Sequence, residues 1–100
     1  MNFLKEIGIS NETISVLNEI CLPIEKSSAE SNKEFIFSSI EYLKSIGIDN
    51  KTIEDILVFD YHYLMPGADM LKKSVDKNGV DIVVKKINED LDNLTYLLDF

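Results

Sequence analysis

Two stretches of this chain are nearly the same. Residues 3–14 read FLKEIGISNETI and residues 42–53 read YLKSIGIDNKTI. Without a gap, Leu4 matches Leu43, Lys5 matches Lys44, Ile7 matches Ile46 and Gly8 matches Gly47. Ile9 likewise matches Ile48, Asn11 matches Asn50, Thr13 matches Thr52 and Ile14 matches Ile53. Phe3 with Tyr42, and Ser10 with Asp49, are conservative pairs. Self-similarity at a fixed offset points to one supersecondary unit used twice.

The unit reads as a helix-turn-helix. Leu4 and Ile7 lie three apart, on one face of a first helix. Glycine accepts the left-handed cap conformation without a Cβ clash, so Gly8 ends that helix. Ile9 packs back on it, and Ser10 caps the next helix by accepting a backbone N–H bond. Asp49 does the same in the second copy. The second helices carry Ile14, Leu17 and Ile20, or Ile53, Ile56 and Leu57, at spacings that make one buried stripe. The two units are expected over residues 3–20 and 42–59. Pro23 is expected to close the first, since the residue before a proline leaves helical geometry.

Between the copies, Ser27 with Glu30 and Ser31 with Glu34 are capping-box patterns. One of them is expected to start a helix running to Ile46, with Phe35, Ile36, Ile40, Leu43 and Ile46 as its apolar face. DYHYLMPGAD, after Phe59, is the least regular stretch. Pro66 suits the first turn of a helix, and Asn78-Gly79 is a stop signal. In the last segment Val84, Ile87, Leu91, Leu94 and Leu98 alternate spacings of three and four, a heptad-like seam. An internal core face is favoured over pairing with a second chain.

The expected fold is therefore all-α: a compact bundle of about five to six helices over residues 1–100, forming a single domain. The apolar supply suffices, at 45% of residues, and this length can enclose one core.

Net charge narrows the function. Eighteen acids against ten lysines leave −8, with no arginine. A nucleic-acid binder usually shows a basic face, and an anionic membrane surface attracts lysine and arginine clusters; neither partner is expected. Cys21 is alone, which excludes an internal disulfide and fits a reducing compartment. MNFLKEIGIS lacks a basic region before an apolar run, so no secretory leader is expected, and the expected location is cytoplasmic. The sequons at Asn11, Asn50 and Asn93 are then chance matches.

No motif for chemistry survives inspection. DKNG, from Asp76, resembles the start of a calcium loop, but Asp81 stands where glycine is required and Ile87 where the last carboxylate is required. His62 is the only histidine and has no partner at metal-ligand spacing. Cys21 has no adjacent base to activate it. No catalytic, cofactor-binding or metal-binding residue is assigned.

The pattern LKxxGIxxxTIxxIL resembles the short-helix repeats of the mTERF family, here on Leu43, Gly47, Ile53, Ile56 and Leu57. The resemblance implies helices packed into a solenoid that binds nucleic acid. The chain lacks the basic groove such binding requires, so that function is not carried over.

What is expected is a non-enzymatic acidic protein-binding module, either an inhibitor, immunity or antitoxin-like protein covering a basic partner, or a regulatory adaptor. Aromatic residues and methionine are enriched in contact patches, which nominates Tyr61, Tyr63 and Met65. Glu89, Asp90 and Asp92 are the nominated rim charges. The alternative is a structural protein that forms homo-oligomers through Val84, Ile87, Leu91, Leu94 and Leu98.

Overall fold

Gly8 and Gly47 close their helices in the same way. In the computed structural model, which describes residues 1–96, both have positive φ, +88° and +104°. Gly8 N donates to Lys5 O and Ile9 N to Leu4 O; Gly47 N donates to Lys44 O and Ile48 N to Leu43 O. These are Schellman caps, and the residues at the apolar positions of the motif, Leu4 and Ile9 in one and Leu43 and Ile48 in the other, are all buried in the core. Ser10 Oγ then accepts from Thr13 N, and Asp49 Oδ1 from Thr52 N. The likeness is confined to the turn and the helix that follows. A six-residue 3-10 helix, Asn2–Ile7, enters the first turn, whereas an α-helix of 13 residues enters the second.

Six α-helices follow one another among the described residues: α1 Asn11–Ile20, α2 Pro23–Ser31, α3 Lys33–Ser45, α4 Asn50–Asp60, α5 Ala68–Asn78 and α6 Val80–Glu89. Short 3-10 helices occupy Asn2–Ile7, Tyr61–Leu64 and Leu91–Tyr96. The all-α expectation holds, with more segments than the five or six expected and no strand among the described residues. One apolar core takes side chains from every α-helix, including Leu17, Ala29, Ile40, Ile56, Leu71 and Val83. Fully burying each large aliphatic side chain contributes about 2 kcal/mol.

Several boundaries differ from expectation. Pro23 opens α2 instead of closing the first unit; it sits at the first helical position, where its missing N–H costs no intrahelical bond. Leu22 N donates to Glu25 Oε1 at 2.8 Å, half of a capping box. The boxes at Ser27 and Ser31 start nothing. The helix instead breaks at Asn32, which has φ −110° and ψ 20°; its side chain donates to the Ser28 carbonyl at 2.8 Å beside its own backbone N–H, which is shared between Ser28 O and Ala29 O. On α3, Ile36, Ile40 and Leu43 are buried as expected, but Phe35 is 56% exposed.

Pro66 lies outside α5, which Gly67 caps. The cap is tertiary: Ser39 Oγ accepts from Gly67 N and Ser38 Oγ from Ala68 N, both at 3.0 Å. The stop at Asn78-Gly79 forms where expected. The C-terminal seam does not run as one helix. Asp90 adopts φ −162°, ψ 133° after α6, and its carboxylate accepts from Asp92 N at 2.9 Å. Ile87 and Leu94 are buried in the core, while Val84 and Leu91 are half-buried against it. Leu98 lies outside the described residues.

Candidate protein-contact surface

α1 and α4 are the helices that follow the two glycine turns, and they pack on each other. Their buried stripes correspond under the repeat offset of 39: Ile14 with Ile53, and Leu17 with Ile56. The next corresponding pair is Ile20 and Phe59. Both belong to the last turn of their helix, and both turn outward, 56% and 52% exposed. Between them lies a depression of about 170 Å³, lined by Ile20, Cys21 and Glu25 from one side and by residues 57–62 from the other.

The run Ile56-Leu57-Val58-Phe59 explains the exposure. Four consecutive apolar residues spread over about 300° of a helix, wider than one buried face. Ile56 and Leu57 take the core, so Val58 and Phe59 are left in solvent. Leu22 and Ile24 on the chain beside Cys21 and Glu25 are also exposed.

The polar rim combines local bonds with one longer contact between its two sides. Glu25 holds Leu22 N with one oxygen, and its other lies 3.5 Å from the Tyr61 hydroxyl. Asp60 accepts from His62 N at 3.0 Å, and its Oδ1 is 2.8 Å from His62 Nδ1. The His62 ring stacks on Tyr61, with centroids 4.2 Å apart. Burial, and then the Glu25 carboxylate, push both the Tyr61 phenol and the Cys21 thiol above their ordinary pKa values. Both groups therefore stay protonated at neutral pH. The thiol is a poor nucleophile in that state.

The nominated contact residues are dispersed. Tyr61 is only 7% exposed, and it is one of the residues that line the depression. Tyr63 and Met65 are half-buried against the core. Glu89, Asp90 and Asp92 are exposed at the end of α6 and just beyond it, and none of them lines the depression. Asp90 serves its own turn. Ile20 is expected in the buried stripe with Ile14 and Leu17, but it lies past the core on the last turn of α1 and is exposed; the exposure of Val58 and Phe59 is foreshadowed only by the over-wide apolar run at residues 56–59.

A second depression, of about 180 Å³, lies between Phe35 and Ser38 on α3 and residues 66–69. Ser38 is already committed to the start of α5. Among the described residues no group of three or more His, Cys, Asp or Glu is placed to hold a metal ion, and no helix is long and apolar enough to cross a membrane.

No protein family matches the chain, and no curated protein or solved structure is significantly similar to it.

Proposed function

We propose that this chain is a non-enzymatic protein-binding module of the inhibitor, immunity, antitoxin or adaptor kind, and that it docks its partner on the converging C-terminal ends of α1 and α4. One observation carries the reading: Ile20, Val58 and Phe59 are exposed together around one depression. Binding energy concentrates where large apolar side chains cluster and exclude water. The volume favours a protein over a metabolite, because small-molecule pockets run to roughly 300–1,000 Å³. The matching turns fit a duplicated unit over residues 3–20 and 42–59, with Ile20 and Phe59 as its equivalent outward positions.

The test is capture of the native partner by the tagged full chain and by Phe59→Lys, compared by mass spectrometry. Phe59 is about half exposed, and a circular dichroism melt checks that the variant folds. Loss of a partner that the wild-type chain retains supports the surface. Equal recovery by both places the contact elsewhere.

A further inference from the structure

We infer that the depression between α1 and α4 takes an apolar side chain from a basic amphipathic helix, whose lysines or arginines meet Asp60, Glu25 and the carbonyl end of α4. This rests on the docking reading above and adds the chemistry of the partner.

Three observations converge on a cation-bearing occupant. First, a helix C-terminus carries partial negative charge, which a basic residue in the last turn offsets. α3, α5 and α6 have Lys44, Lys77 and Lys86 there, whereas the last turns of α1, α2 and α4 have no basic residue. Second, α1 borrows one lysine, with Lys26 Nζ on Asn18 O at 3.1 Å, while α4 ends on an acid, Asp60. Third, two acids, Glu25 and Asp60, line the depression against one histidine, His62, whose Nδ1 lies 2.8 Å from Asp60 Oδ1. Its apolar wall therefore sits in a negative field, and a partner with an apolar anchor flanked by cations complements both.

The same charges disfavour other occupants. A second copy would set Glu25 and Asp60 against themselves on a chain of net charge −8, and like charges brought together cost affinity. An anionic lipid surface is repelled for the same reason.

The test is an amide NMR titration of the full chain with two synthetic amphipathic helices, one of leucine and lysine, the other with glutamate replacing lysine. Shifts confined to residues 20–25 and 58–62 with the lysine peptide, and none with the glutamate peptide, are the expected result. Asp60→Asn and Glu25→Gln together should weaken binding about tenfold. Glu25 also caps α2, so an amide spectrum of this variant alone checks its fold, and the glutamate peptide tests the charge independently. Equal binding of both peptides at the depression overturns the basic partner and leaves the docking surface standing. Shifts scattered over acids elsewhere, such as Glu89 and Asp92, overturn the inference. So does binding by neither peptide, and the Phe59→Lys capture then decides the docking reading by itself.

Discussion

The Ser10 hydroxyl donates a hydrogen bond to the Glu54 carboxylate across 44 residues of chain. The Thr13 hydroxyl donates to the same oxygen. Asn50 Nδ2 donates to the other at 2.8 Å and reaches the Gly8 carbonyl at 3.3 Å. The N-terminal cap of α1 is thereby tied to the first turns of α4, and one glycine turn to the other. Burial works against the charge of Glu54, but the Ser10 and Thr13 hydroxyls outweigh it and hold the carboxyl below its ordinary range.

That bridge gives stability a pH dependence. A depressed carboxyl contributes fully above its unfolded pKa, about 4.3, and its contribution is lost as pH falls through the folded value. Urea melts of the wild-type chain should weaken below about pH 4.5. Glu54→Ala should cost about 1–2 kcal/mol at pH 7, with a smaller loss on acidification. A variant with an unchanged midpoint at pH 7 would mean that the bridge contributes nothing.

The glycines are not equal. Gly8 has φ +88°, ψ 16° with open space around its missing Cβ, so Gly8→Ala should cost about 1 kcal/mol of left-handed strain. Gly67 has φ +94°, ψ 165°, a region essentially reserved for glycine. A Cβ there would also stand 2.9 Å from Phe35 Cδ1. Gly67→Ala should therefore be the more damaging, by about 1–3 kcal/mol in total. Equal denaturation midpoints for the two variants would contradict this.

Core and surface isoleucines should separate cleanly. Ile40 is fully buried, and Ile40→Ala should cost about 2–5 kcal/mol through lost burial and a residual cavity. Ile20→Ala removes an exposed side chain and should stay within about 0.5 kcal/mol. A large loss at Ile20 would make it a structural residue and remove it from the contact surface. The comparison is a pair of urea melts read by circular dichroism.

Cys21 reports on the depression from within. It is the chain's only cysteine, is buried, and its thiol is held protonated first by burial and then by Glu25. Iodoacetamide should alkylate it about tenfold or more slowly at pH 7 than in denaturant, because the thiolate is the reacting form. Mass spectrometry follows the adduct. Equal rates in the two conditions would show an open, unperturbed thiol.

The helical class was legible because its signals are local. Gly8, Gly47, Ser10 and Asp49 act on backbone groups within five residues, and the apolar stripes of α1 and α4 have the helical period. Asn32 shows how narrow that legibility is. Two capping-box patterns flank it, yet the helix divides at Asn32 itself, where the backbone departs from helical geometry and the side chain folds back on Ser28 O. Asp90 does the same to the heptad-like seam, by a side-chain bond that spacing alone does not weigh. Tyr61 was nominated for contact on residue type, but packing against Cys21 and Glu25 put it beneath the surface.

The chain by itself thus determined the two glycine turns, the helix starts at Ser10 and Asp49 and the core of the apolar stripe on α1, α3 and α4, since those depend on neighbours a few bonds away. Only the tertiary structure decided that Ser38 and Ser39 cap α5, that Glu54 answers Ser10, and that the ends of α1 and α4 meet. Those pairings join residues about 30 to 45 apart in the chain. They form when the buried stripes close on a shared core, and that closure leaves Ile20 and Phe59 facing outward side by side.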